Sequence, residues 1–248
     1  MEVHAHTHTA RKKWTHYFWE FLMLFLAVFC GFLAEYKLEH MIENQREHKF
    51  MQSFVGDLER DTAFLNASFS LKEQRVLAID SIFDFFEKNT NAAEVPANVH
   101  NHIRRALWDR HLRRNSGTID QLKNSGGLRL IRKKNVVDSI ADYDIQWARL
   151  EYWREAYTAN QRHGSEMIDK MLDATILLPI YKSDKSGSTT NLFKDAPSVK
   201  LNTVYLNEYL NFLFRQKFST IQDERNYRNV EQSAQRLITL IKKEYHLK

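Results

Sequence analysis

The sequence predicts an all-α protein, in which one N-terminal transmembrane helix continues into a bundle of long helices with coiled-coil-like antiparallel hairpins. Three observations carry this expectation. Only seven Gly and three Pro occur in 248 residues, and Pro96, Pro179 and Pro197 all fall between periodic stretches, so helices run long and uninterrupted. The positions Val136, Ile140, Tyr143, Trp147, Leu150, Arg154, Tyr157, Gln161, Gly164, Ile168 and Met171 alternate steps of four and three. That is the heptad seam of a helix that packs along its whole length, although with polar entries. The third observation is Phe21–Ala34, which holds no charged residue.

The apolar stretch organises the N-terminal part. At about 1.5 Å per residue, Trp14–Tyr36 spans roughly 34 Å, sufficient for a hydrocarbon core of ~30 Å, whereas Phe21–Ala34 alone spans roughly 21 Å. Trp14, Tyr17 and Trp19 mark one end of the longer span and Tyr36 the other, as expected of rings that settle at headgroup level. Glu20 opposes insertion. The nine Leu, Phe and Val residues between Phe21 and Leu33 favour it, by roughly 0.3–0.6 kcal/mol each, against about 2.5–3.5 kcal/mol for a charge at the bilayer centre. Glu20 lies near the end of the span, where the penalty is smaller, so insertion wins. A buried core helix would confine its bulky side chains to a stripe, whereas Phe and Trp surround this one. No A-x-A-like site follows the apolar run, which argues for retention of the anchor, and bulky Phe29 before Cys30 fits lipidation poorly. Cys30 is the single cysteine, so no disulfide framework is expected in the extramembrane part.

Arg11, Lys12 and Lys13 lie directly beside the span, whereas Lys37, Arg46 and Lys49 are interleaved with Glu35, Glu39, Glu43 and Glu47. The positive-inside rule then places the N-terminus in the cytoplasm and the large domain on the other side. On a helical wheel Ala27, Gly31 and Ala34 fall within about 40° of Glu20. Small residues at that spacing permit close approach of a second helix, and an intramembrane carboxyl on the same side points to a protein partner, either a second copy or another membrane protein. The plainer alternative is a Glu20 that snorkels to the headgroups beside small residues of no consequence.

Residues 1–13 read as a polar tail, residues 14–36 as the transmembrane helix and residues 37–248 as the bundle domain. His4, His6 and His8 in the tail alternate at a spacing that could bind a divalent metal weakly, but a plain polar tail is the favoured reading and no metal is assigned. Met51, Phe54 or Val55, Leu58, Leu65 and Phe69 form an apolar stripe, with a break expected at Asn66-Ala67-Ser68. Val76, Ile79, Ile82, Phe83 and Phe86 extend helix to about Lys88, and Asn89 to Pro96 reads as loop. After the seam, which is expected to end at Pro179, 182–197 reads as a surface loop. Leu201–Tyr245 then returns to helix, with Tyr227, Val230, Ala234, Leu237 and Ile241 on the buried face.

The segment 97–134 differs in composition. Arg104, Arg105, Arg110, Arg113, Arg114, Lys123, Arg129, Arg132, Lys133 and Lys134 face only Asp109 and Asp120 between Arg104 and Lys134, whereas the whole chain carries +5. Thr118, after Ser116-Gly117, reads as a helix N-cap, and Ser125-Gly126-Gly127 separates that helix from the next. There is no G-x-x-x-x-G-K-[ST] motif, so the glycines do not make a phosphate loop. The basic residues predict a patch for an acidic protein or anionic lipid headgroups, each cation gaining about 1 kcal/mol at an anionic leaflet. Nucleic acid is disfavoured, because only Trp108 is interleaved as a stacking platform. His100, His102, His111 and Asp109 are close in sequence, but His-x-His on a helix points its rings apart, and no nucleophile–base set or H-E-x-x-H occurs. No enzymatic activity, cofactor or metal is therefore expected.

Lys12-Lys13-Trp14, Phe18-Trp19-Glu20-Phe21, Gly31-Phe32-Leu33-Ala34-Glu35, Arg46-Glu47 and Asp57-Leu58-Glu59-Arg60-Asp61-Thr62 together resemble an uncharacterised bacterial family, a domain of unknown function. Its members are single-pass membrane proteins with a helical domain after the anchor. Gln121-Leu122-Lys123-Asn124-Ser125-Gly126-Gly127-Leu128-Arg129-Leu130-Ile131 is similar to a second feature of that family. The resemblance covers the first ~65 residues best, the middle partly, and the C-terminal third only in character. It implies a helical envelope protein, places Glu20 and Glu35 within the motif, and implies no reaction. With the orientation read from the basic triplet, the expected place is the bacterial inner membrane with the domain in the periplasm. Composition, anchor and resemblance converge on a membrane-anchored interaction or scaffold protein. The alternative is a Glu20-dependent accessory subunit of an ion- or proton-coupled membrane complex.

Overall fold

The computed structural model describes residues 14–173, 175, 178 and 197–247. The His-containing tail, the seam's end at Pro179 and nearly all of the loop at 182–197 lie outside the described residues. The protein is all-α, as predicted. Among the described residues there are five α-helices: α1 Trp14–Lys88, α2 Ala97–Arg105, α3 Gly117–Asn124, α4 Lys134–Met171 and α5 Leu206–Tyr245. The chain divides into two compact units, residues 1–50 and 51–248.

The first unit consists of α1 up to Phe50. It contains an 18-residue window of mean hydropathy 2.0, none of it buried. By length and composition this helix can cross a membrane. Its rings stack on one another along the helix, Phe21 on Phe25 at 6.3 Å and Phe25 on Phe29 at 5.8 Å.

The second unit packs α1 from Met51 onward against α2, α3, α4 and α5. The long helices α4 and α5 run antiparallel, with Asn135 donating to Glu244 at 3.1 Å near one end and Gly164 packed on Phe212 further along. A Cβ at Gly164 would lie 2.6 Å from both Leu107 and Phe212, closer than carbon atoms tolerate, so only glycine lets these elements approach. The predicted face of α5 (Tyr227, Val230, Ala234, Leu237, Ile241) is buried throughout.

Several expectations need correction. The break at Asn66-Ala67-Ser68 is absent. Ser68 turns its hydroxyl back to the Phe64 carbonyl at 2.8 Å, which lets a polar residue sit inside a helix. Helix α3 begins at Gly117 with Ser116 at its cap, two residues before Thr118, the expected cap. Arg154 is exposed although it occupies a seam position, and Met167 is buried where Ile168 is half-buried. The loop after α1 contains a two-residue strand, β1 (Glu94–Val95), paired antiparallel with β2 (Val199–Lys200) through Glu94↔Lys200 and Val95↔Val199. Both valines are fully buried, and β-branched residues suit such a ladder. Helix α5 consequently starts at Leu206, after a 3₁₀ turn at Thr203–Tyr205, and not at Leu201.

The core is layered along its length. At one end Ile79, Ile82, Phe86, Ile103, Met171 and Phe212 belong to one apolar cluster. Toward the other end, buried Phe54, Tyr143 and Trp147 succeed one another edge to face. Between them the buried positions turn polar: Asp61, Thr62, Ser68, Lys72 and Arg75 on α1, and Gln216 and Thr220 on α5.

Candidate functional site: a buried charge network and a basic loop

The polar belt centres on two cations of α1. Leu65, Ser68, Lys72, Arg75, Ile79, Ile82 and Phe86 follow one another at steps of three and four, so Lys72 and Arg75 project from the apolar stripe into the bundle. Both side chains are 1% exposed. Arg75 donates from Nε to the Ala106 carbonyl at 2.7 Å, from Nη2 to Gln216 at 2.9 Å, and from Nη1 to the Tyr157 hydroxyl. Lys72 Nζ lies 3.2 Å from Asp109 and 3.9 Å from Asp223. It also sits 4.3 Å from the centre of the Tyr227 ring and 5.8 Å from that of Tyr157. Asp109 approaches Arg75 as well, at 3.6 Å, and its other oxygen accepts from the Arg110 amide at 2.7 Å.

Two cations and two carboxylates therefore balance, and neutral groups take up the other donors of Arg75. This is the condition under which buried charge is tolerated. Burial holds the Asp223 carboxyl above the usual carboxylate range, although Lys72 pulls in the opposite direction. Burial likewise keeps the Tyr157 and Tyr227 hydroxyls protonated. The belt opens to a cleft lined by Asp109, Trp153, Tyr157, Asp223 and Tyr227, with a cavity volume of about 40 Å³. That holds about three waters, far short of the roughly 300–1,000 Å³ of small-molecule sites. The geometry makes the network a clamp that draws the segment after α2 onto α1, α4 and α5.

A second clamp holds the far end of that segment. Asp61 accepts from the Asn115 amide at 2.7 Å, the Asn115 side chain at 2.8 Å and the Tyr143 hydroxyl at 2.7 Å. One turn earlier, Asp57 accepts from the Thr118 amide at 3.0 Å. Its negative charge thereby meets the first turn of α3, where unpaired amides favour an anion. The irregular stretch between α2 and α3 is thus fixed at Ala106 and Asp109 on one side and at Asn115 and Thr118 on the other.

The predicted basic residues divide between surface and bundle. Arg104 on α2, Arg110 and Arg113 in the clamped stretch, Arg129 in the 3₁₀ turn Gly127–Leu130, and Arg132, Lys133 and Lys134 before and at the start of α4 are exposed, with Arg105 half-buried. Arg114 belongs to the bundle: it donates to Asp144 at 2.8 Å and packs its guanidinium 5.3 Å and 5.7 Å from the ring centres of Tyr143 and Trp147. Asp144 also takes Lys123 at 2.5 Å. These two cations hold the Asp144 carboxyl below its ordinary range despite the opposing effect of burial. Lys133 pairs with Glu244 at 3.2 Å. Trp108 is 63% exposed in the clamped stretch.

In the first unit Glu20, Ala27, Gly31 and Ala34 are all exposed. A Cβ at Gly31 would meet nothing within 4 Å, so its backbone is open to close approach. Glu20 meets His16 one turn earlier at 3.0 Å. Among the described residues no three His, Cys, Asp or Glu side chains converge as a metal centre requires.

His100 on α2 is buried, and burial, with Arg104 beside it, lowers its pKa to about 4. The unfolded chain takes up this proton near the ordinary imidazole value and the folded chain resists it. The stability His100 contributes is therefore complete above about pH 6.5 and is lost as pH falls toward 4. His100→Gln is expected to flatten the decline in urea midpoint between pH 7 and pH 4.5. An unchanged pH profile would show that His100 does not govern it.

Sequence periodicity placed Tyr157 and Gln161 on the seam, but it missed Lys72, Arg75 and Asp223, whose signal was their register within apolar stripes. The chain matches no family model, no curated protein and no solved structure.

Proposed function

We propose that this is a membrane-anchored helical interaction or scaffold protein. The observation that carries this reading is the N-terminal helix: its apolar window leaves all of its surface outside the fold, and a helix so apolar needs lipid or another protein around it. Arg11, Lys12 and Lys13 support an N-terminus in the cytoplasm and a bundle in the periplasm of a bacterial inner membrane. The face formed by Glu20, Ala27, Gly31 and Ala34 supports assembly through the anchor, with a second copy or another membrane protein. The exposed cations Arg104, Arg110, Arg113, Arg129, Arg132 and Lys134, with half-buried Arg105, presented around a clamped loop, support contact with an acidic partner or headgroup surface. Two tight clamps and a cleft of a few waters suit a fixed display surface better than a substrate site, so we assign no reaction.

The test is extraction. The full chain is expected to stay with membranes in alkaline carbonate. Leu26→Arg combined with Phe29→Arg is expected to release it, because each central charge costs about 2.5–3.5 kcal/mol of insertion. Release of the unaltered chain by carbonate would overturn the reading.

A further inference from the structure

We infer that the groove between α4 and α5 near Arg149 and Arg236 is a docking site for an acidic peptide segment that carries an apolar residue beside its carboxylates. The inference deepens the scaffold reading by naming the partner's chemistry, and it concerns a surface outside the basic segment 97–134.

The groove is an open cavity of about 470 Å³, about twelve times roomier than the cleft of about 40 Å³ over the charge network and within the range of ligand sites. Arg149 and Arg236 both line it and both are exposed. Among the described residues Arg149 makes no ion pair, and the one hydrogen bond of Arg236 runs from Nε to the Gln232 carbonyl at 3.3 Å. Two guanidinium groups on facing helices, with forked donors unspent, match carboxylates.

The rest of the lining selects among anions. Gln146, Asn226 and Asn229 contribute three amides, each of which donates and accepts, as a peptide backbone requires and a phosphate does not. The Gln146 Oε1 atom is buried without a hydrogen-bond partner, an acceptor that lacks a donor such as a peptide N–H. Ile145 in the same groove is 57% exposed, whereas Leu150 and Val230 line it as buried residues, so covering Ile145 with an apolar side chain is favourable. Asp142 at the same wall repels a uniformly anionic surface but tolerates a peptide whose acids are spaced. Together these features favour a short mixed acidic–apolar segment over a lipid headgroup.

The test is selection of random heptapeptides on phage against the full chain held in nanodiscs. Enriched peptides are expected to carry Asp or Glu next to Leu, Ile, Val or Phe, and to bind Arg149→Glu/Arg236→Glu at least tenfold more weakly. Selection on that charge-reversed protein is expected to return Lys or Arg in place of the acids. Arg149→Gln/Arg236→Gln, which leaves the groove uncharged, should weaken the acidic peptides without acquiring basic ones. Both arginines are on the surface, and an unchanged melting temperature verifies that each variant folds. Enrichment without acids, or equal binding to the reversed protein, would overturn the inference. So would arginine-dependent binding of phosphatidylglycerol vesicles without peptide binding, which would assign the groove to lipid. Incorporation into nanodiscs reports on the anchor separately, so failure of this site is distinguishable from failure of membrane attachment.

Discussion

Asp109→Ala is expected to destabilise the bundle by about 3–5 kcal/mol, the range seen when one partner of a buried ion pair is removed and the other charge stays. Asp109 is the carboxylate shared by Lys72 and Arg75. Without it two buried cations would face each other with only Asp223, 3.9 Å from Lys72, to offset them. The side chain of Asp109 is 4% exposed, so only the few waters of the adjoining cleft can reach the cations it leaves behind. The measurement is urea unfolding of the full chain in detergent, followed by circular dichroism. Lys72→Met combined with Asp109→Ala removes a cation as well as the acid, and should be less damaging than the two single changes added together. A loss near 1 kcal/mol or less, the size expected of an exposed pair, would mean that the belt is wetter than its geometry indicates.

The layered core explains which parts of this molecule were legible in the sequence. The long apolar N-terminal helix was legible because a run without charge has few physical readings. The α5 face was legible because each of its buried positions is apolar or aromatic. On α1 the same heptad arithmetic holds, but Ser68, Lys72 and Arg75 occupy stripe positions, and a hydrophobic pattern counts such residues as surface. Their partners Tyr157 and Gln161 were noticed as polar entries in the α4 seam, yet the pairing of two polar seams appears only when the helices are packed. Arg154 shows the opposite error, since its register was right but the belt opens toward solvent there. The β1–β2 pairing was beyond reach, as a two-residue strand leaves no period to detect. Among the basic residues, charge counting could not separate Arg114, committed to Asp144, Tyr143 and Trp147, from Arg113, its exposed neighbour.

Asp61→Ala is the second large change expected, at about 3 kcal/mol, because each buried donor left unsatisfied costs about 1–3 kcal/mol. Asp61 is 1% exposed and accepts three hydrogen bonds, with no ion pair to it among the described residues. The three losses are unequal. Asn115 is half-buried, so its amide and side chain can turn to water, whereas the Tyr143 hydroxyl is buried and has nowhere to go. Tyr143→Phe should therefore cost about 1 kcal/mol in the unaltered chain and close to nothing in the Asp61→Ala background. The same substitution releases one end of the loop that carries Arg110 and Arg113. Amide hydrogen exchange at Asn115 is expected to accelerate, while exchange at the α5 face around Leu237 follows only the global loss of stability. If both regions accelerated equally, Asp61 would be a support of the whole bundle. Faster exchange confined to the loop would show that the display of the basic residues depends on a buried carboxylate that never reaches the surface itself.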